Sequence, residues 1–471
     1  MTLEGAVKRI RAALSVVTLA LLCACAAGPD YSPPQLDTGA DWVGVAPPGE
    51  PELDAWWMSF ADSTLDRLIG RALEQNLDLR AAVARIAEAR AARDAIAGGA
   101  APYVAARGSV TERRQSENGP LPIGSIAGIE RDQTIYELGF DASWELDLAG
   151  RTRRGVEAAD ARVDAAIART SAARIAVAAE VARSYLSLRG AQQRLAAKQA
   201  ALAAARQTNA LVDQRVEAGE AARDELARSD AELASVAAQL PQIEAEGRAA
   251  AFALALLLGA PPEAEIDLLG VSTEPVELES LPVGQRAGLL RRRPDVIAAE
   301  RELHAATAEI GVATAEMFPR LVIGANGGFQ SLDAGNLFEG ASETWSIMPA
   351  LSWRIFDGGR VQAGIRGAEA RAARAAIEYE STVLAALNDA ERALSRYTFG
   401  LDALALQREA VAAARRSYTF AGQRYRAGDI ALFELLDAER VLRNAEDTLA
   451  ALHTGTAVDL VALYKALGGG W

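Results

Sequence analysis

Residues 140–151 read "FDASWELDLAGR". Phe140, Ala142, Trp144 and Leu146 alternate with Asp141, Ser143, Glu145 and Asp147, so one face is apolar and the other acidic or small. At Gly150 the period changes. Residues 151–213 contain no proline and only two glycines, Gly155 and Gly190, in an alanine-rich, charged background. A two-faced strand therefore runs straight into a helix of about sixty residues, roughly 95 Å at 1.5 Å per residue. No compact core has that layout.

The junction recurs. "WRIFDGGR" (353–360) answers "WELDLAGR" (144–151), and Trp144 and Trp353 stand 209 residues apart. "QRYRAGDIALFEL" (423–435) answers "QRVEAGEAARDEL" (214–226) at the same offset, as Gly468 answers Gly259. Upstream the offset is 217, pairing Asp78 with Asp295 and Pro102 with Pro319, so the halves differ in length only inside the hairpin. Each half reads as helix, hairpin, very long helix, turn, helix. The first repeat covers 63–259, with strands over 102–115 and 134–147. Its opening helix, 63–97, places Leu65, Leu68, Ile69, Ala72 and Leu73 on one face. Gly219 marks a reversal, and 222–258 return as helix, broken at Pro241. Residues 260–282 form a proline- and acid-rich linker. The second repeat covers 283–471, with strands over 319–331 and 343–356, and Pro294 opens a helix with Asp295 at its positive end. Ala158, Ala159, Ala161, Ala165 and Ala166 let neighbouring rods pack closely.

Composition narrows the chemistry. Of 471 residues half are apolar but only 6% aromatic, which suits closely packed helices, and the formal charge of −14 opposes nucleic-acid binding. The only cysteines are Cys23 and Cys25, and the only histidines, His304 and His453, lie far apart in helical stretches. Neither a metal site, a cysteine–histidine nucleophile nor a disulfide framework can be built from them. "GGAAPYVAARG" (98–108) precedes a strand and lacks the Lys-Ser/Thr of a phosphate loop. No catalytic residue, cofactor or enzymatic reaction is implied.

The N-terminus sets the compartment. Lys8, Arg9 and Arg11 precede the eleven-residue apolar core "AALSVVTLALL" (12–22), too short to span a bilayer comfortably, so 1–24 read as a secretory signal. Its end resembles a bacterial lipobox, with Leu22 and Ala24 before Cys25, although Cys23 departs from the usual small residue. The resemblance implies acylation (palmitate or a similar chain) at Cys25, with residues 25–62 as a lipidated extended segment. Cleavage removes Lys8, Arg9, Arg11 and Glu4 and takes the charge from −14 to −16. Ala26 after the anchor is similar to lipoproteins sorted to the outer membrane.

The other strands repeat the two-faced pattern. Leu321, Ile323, Ala325 and Phe329 oppose Gly324, Asn326, Gly328 and Gln330; Trp345, Ile347, Leu351, Trp353 and Ile355 oppose Ser346, Met348, Ala350, Ser352 and Arg354. The 103–112 stretch is weaker, interrupted by Arg107. Each run approaches the roughly nine to eleven residues that a tilted strand needs to cross a bilayer. A soluble sheet packed on the helices gives the same alternation. Four strands cannot close without edges in lipid, so a membrane reading demands several copies.

At "GPDYSPP" (28–34), "WWMSFADSTLDRLIGRALEQNLDL" (56–79), "WELDLAGRTRR" (144–154), "ARSYLSLRG" (182–190), "LLLGAPP" (256–262), "LLRRRPDVIAAER" (289–301) and "WRIFDGGR" (353–360) the chain resembles outer-membrane efflux factors of the TolC/OprM family, in the NodT-type lipoprotein branch. The resemblance implies a mixed fold, all-α plus membrane β-barrel. In a homotrimer, four strands per protomer close a 12-stranded barrel, continued by a periplasmic α-helical tunnel with shorter helices stacked end to end. It implies an exit duct for small molecules whose partners are a periplasmic adaptor (membrane fusion protein), an inner-membrane pump and outer-membrane lipid. Trp144, Trp345 and Trp353 would be barrel interface aromatics. Gly219 and Gly428 would mark adaptor-docking tips, although "EAGEA" and "RAGDI" depart from the usual Gly-Leu-Ser/Thr. Glu434, Asp437 and Arg440 recur every three residues on one helix face, where trimeric rings of carboxylates favour cations. The resemblance makes them the periplasmic aperture gate, with Arg440 tethering the closed state. Alternatives are the exit duct of a type I protein-secretion system and a lipoprotein scaffold without a pore.

Overall fold

The computed structural model describes residues 26–34, 41–44, 47–116, 130–270 and 276–469. The signal peptide and Cys25 lie outside the described residues. In chain order the elements are α1 (Ser63–Gln75), α2 (Leu77–Gly98), β1 (Tyr103–Arg114), β2 (Asp132–Leu146), α3 (Arg151–Glu217), α4 (Arg223–Leu257), α5 (Arg286–Arg292), α6 (Pro294–Ala315), β3 (Arg320–Ser331), β4 (Glu343–Ser352), α7 (Arg360–Arg426) and α8 (Leu432–Ala466). The helices α3 and α7 have 67 residues each and α4 and α8 have 35 each. Both pairs start 209 residues apart, the offset of the sequence repeat. Two compact units share these elements.

The first unit (1–34, 86–165 and 299–378) holds the sheet and the adjoining helical segments. Its strands run in the order β1-β2-β3-β4, all antiparallel, so each half supplies a hairpin and β2 pairs with β3 across the halves. Beside the sheet, Ala158 and Ala161 of α3 meet Ala305 and Ala308 of α6 in a buried seam without large side chains. The segment after residue 25 is clamped there. The Ala27 N–H donates to the Ala149 carbonyl (2.9 Å), and Arg154 donates to the Asp30 carboxylate (2.6 Å) and the Ala27 carbonyl (3.2 Å). Tyr31 stacks on His304 with ring centroids 4.3 Å apart.

The second unit (35–85, 166–298 and 379–471) carries the large core, including Leu65, Leu68, Ile69, Tyr185, Leu188, Leu254, Tyr397, Leu463 and Leu467. Each such side chain stabilises the fold by roughly 1.5–3 kcal/mol on burial. Asp62 caps α1 by accepting from the Thr64 and Leu65 N–H groups, and its other oxygen accepts from the buried Tyr185 hydroxyl at 2.6 Å. Tyr464 stacks on Trp56 at 5.0 Å.

Three expectations need correction. The helix expected over 63–97 is two helices, because Asn76 adopts ψ 131°. Its side chain accepts from the Asp78 and Leu79 N–H groups (2.9 and 3.1 Å) and donates to the Leu257 carbonyl (2.8 Å), capping α2 while tying it to α4. Pro241 does not break 222–258: it lies inside the continuous α4, since a proline removes one donor and bends a helix without ending it when both flanks are helix formers. Finally, β4 stops at Ser352, short of 356, and Trp353 lies beyond it. Its indole is drawn off the ladder to donate to the Met317 carbonyl at 3.0 Å.

Candidate functional site

The register aligns the faces that alternation predicts. Across the sheet, Ala106, Phe140, Gly327 and Trp345 form one row, and Ala142, Ala325 and Ile347 form the next. On β2 that face carries no charged side chain between residues 134 and 146; toward the hairpin ends it also holds Glu112 and Glu343, and Phe338 packs on Phe329, while the middle of the face is open. Phe140 is 63% exposed, Ile347 64%, Leu351 68% and Trp345 79%. So large an open apolar surface marks a lipid or protein contact. The opposite face carries Arg107, Glu137, Asp141, Asn326 and Gln330, cross-linked by Arg107 to Asp141 (3.5 Å) and Gln330 to Glu137 (2.5 Å). Among the described residues β1 and β4 are unpaired edges.

The ends of the hairpins are built alike. The Trp144 indole donates to the Ala100 carbonyl at 2.9 Å, as Trp353 donates to Met317. Ala100 and Met317 stand 217 residues apart, the upstream offset of the repeat. Past the strands the chain turns into the long helices. Gly150 has φ +78°, and Asp357 accepts from the N–H groups of Gly359, Arg360 and Val361 (2.9, 3.0 and 2.9 Å) to cap α7.

At the other end of α3 and α7, Gly219 and Gly428 take φ +75° and +81°. Each closes a helix by the same bonds: Gly219 to Val216 and Glu220 to Arg215 in one turn, Gly428 to Tyr425 and Asp429 to Arg424 in the other. No atom lies within 4 Å of where a Cβ would stand at either, so the backbone angle, not crowding, requires glycine. Sequence reading missed the link between the two hairpins, in which Arg215 donates to the Tyr425 hydroxyl at 2.6 Å. No local pattern announces it, because it joins residues 210 apart.

Asp437 and Arg440 are brought together, with Arg440 donating to the carboxylate at 2.6 Å. Their side chains are 46% and 56% exposed, so in one chain the pair is worth only about 0.2–1 kcal/mol. Glu434 stands one turn earlier, exposed. With Asp224, Arg228, Phe433 and Leu436, the pair lines a recess of about 310 Å³ between α4 and α8. Sequence reading also missed Glu439, a neighbour of Lys198 and Glu232 in the adjoining recess. Burial pushes its carboxyl above the usual range, Arg443 at 3.7 Å opposes the shift and Glu232 adds to it.

Both histidines serve the packing. His304 hydrogen-bonds Glu157 at 3.1 Å beneath Tyr31. His453 reaches the Val276 carbonyl at 2.9 Å, and burial lowers its pKa. Among the described residues no group of three or more His, Cys, Asp or Glu could hold a metal ion, and no helix is long and apolar enough to cross a membrane.

The family model for outer membrane efflux proteins matches residues 68–260 and 287–469. Nodulation protein T of Rhizobium leguminosarum bv. viciae is 32% identical over 464 residues, covering 98% of this chain and 94% of that protein. Outer membrane protein OprJ of Pseudomonas aeruginosa is 33% identical over 469 residues, covering 97% and 96%. The solved structure of the outer-membrane channel OprN matches with a TM-score of 0.85 at 36% identity, over 95% of this chain and all of that one.

Proposed function

Because this chain belongs to the outer membrane efflux protein family, we propose that it is the outer-membrane exit duct of a tripartite efflux system, passively conducting small molecules. The observation that carries this reading is the sheet, whose largely apolar face is left open while, among the described residues, β1 and β4 remain unpaired edges. Lipid tolerates strands only when every edge is paired. Three copies joined β4 to β1 make a 12-stranded barrel from the duplicated helix–hairpin–long helix–helix unit. The apolar face meets lipid, Trp144 and Trp353 settle at an interface, and the polar face lines the bore. In water the wall continues as helices, which alanine seams allow to pack closely. The turns at Gly219 and Gly428 present the surface for a periplasmic adaptor, itself held by an inner-membrane pump. Rings of Glu434, Asp437 and Arg440 form the aperture. Acyl chains on Cys25, outside the described residues, add an anchor next to the clamped 26–31 segment.

No reaction is assigned, and the family consists of channel proteins. Purified protein reconstituted into planar bilayers should migrate as a heat-modifiable trimer and give discrete ion-conducting steps. A monomer without conductance would leave only the scaffold reading.

A further inference from the structure

The polar face of the sheet is not evenly neutralised. It carries Arg107, Arg113, Glu137, Asp141, Glu145 and Arg320. Arg107 pairs with Asp141 at 3.5 Å, Arg151 with Glu145 at 3.7 Å, and Arg320 with Glu316. Arg113 bonds the neutral Gln133 at 3.3 Å, four residues along β2 from Glu137, or roughly 13 Å away. Glu137 differs from its neighbours. It accepts from the Ser109 hydroxyl (3.3 Å) and the Gln330 amide (2.5 Å), both neutral, and no described cation lies within ion-pair distance. Its rotamer is held from both adjacent strands while its charge stays unmatched.

Toward β1 the nearest cation is Arg107, opposite Gly139, and its guanidinium is turned to Asp141 at 3.5 Å; toward β3 the backbone is bare. Two residues along β2 from Glu137, Gly139 faces Gly328 across the β2–β3 ladder, so no side chain rises on that side to shield the carboxylate. We infer that Glu137 is a charge-selecting residue of the bore, favouring cationic over anionic solutes. This rests on the duct reading, in which the polar face lines the lumen and each such residue recurs three times around it. A carboxylate ring in a bore with low-dielectric walls raises the local concentration of cations and excludes anions. Its reach is one Debye length, about 30 Å at 0.01 M salt and about 3 Å at 1 M. The preference must therefore be strong in dilute salt and vanish in concentrated salt.

Cation-over-anion permeability ratios from reversal potentials in planar bilayers test this, using KCl gradients and a Glu434→Gln/Asp437→Asn background that silences the aperture acids. Glu137→Gln keeps the side-chain shape and should lower the ratio at least about twofold near 0.01 M but not near 1 M. Glu137→Lys should invert the preference, and Glu137→Asp, which keeps the charge, should retain it. Equal ratios for the Gln and Asp variants in dilute salt, with conductance intact, would overturn the inference alone. A parent protein that conducts no ions would overturn the duct reading with it.

Discussion

Gly328→Val is expected to leave no heat-resistant, conducting form of this protein. Gly328 stands opposite Gly139, and a Cβ built on it would lie 2.3 Å from the Leu138 carbonyl oxygen and 2.5 Å from the Gly139 Cα. Both obstacles are backbone. A flexible side chain could swing aside, but β2 can retreat only by giving up ladder hydrogen bonds to β3, the one pairing that joins the two hairpins. Overpacking a tight site typically costs about 1–3 kcal/mol, and an obstacle that cannot relax puts this change at or beyond the upper end. Gly324→Val is the internal control, on the same strand and the same polar face. Its Cβ would meet nothing closer than the Met348 carbonyl at 3.7 Å, an ordinary contact. Gel mobility with and without heating should show a trimer for Gly324→Val and only unfolded monomer for Gly328→Val. Equal behaviour would mean that β2 and β3 do not approach as closely as the register requires.

Asp437→Ala/Arg440→Ala should raise single-channel conductance by at least about twofold at low ionic strength. Within one chain the ion pair is weak because water screens it. In the proposed trimer the same pair would repeat around the aperture, so that the double substitution would remove the tether and three carboxylate–guanidinium pairs there at once. Arg440→Ala alone should also open the aperture, while increasing its preference for cations, because Asp437 is then left unpaired. Conductance unchanged in both variants would remove these residues from the gate.

The fold was legible wherever periodicity and repetition carry it. Alternation at Phe140–Leu146 and Leu321–Phe329 gave the faces that the register aligns, and the 209-residue offset recurs in the starts of the long helices. Tertiary partners decided the rest. Asn76 interrupts an otherwise continuous apolar stripe because its amide finds the Leu257 carbonyl, 181 residues away, which no local pattern encodes. Pro241 illustrates the converse, since a local breaker was absorbed within a helix of 35 residues. At the candidate site, Asp437 and Arg440 were readable from their spacing on one helix face. Glu439 was not, because Lys198 and Glu232, which line the same recess, come from α3 and α4. Glu137 was hidden as well, inside a strand whose sequence shows only that a polar face exists.

The alternating sheet in lipid is the claim on which the duct stands, and site-directed nitroxide labelling along residues 136–144 tests it most directly. In protein reconstituted into bilayers, labels at 136, 138, 140, 142 and 144 should relax with oxygen, the lipid-soluble quencher. Labels at 137, 141 and 143 should relax with a water-soluble nickel chelate, position 139 being left as glycine because a side chain there would meet the Gly327 carbonyl. A period of two with that phase is the signature of a barrel wall between lipid and water. Labels shielded from oxygen throughout, or alternating in the opposite phase, would put Phe140 against protein or water and contradict a lipid-facing sheet.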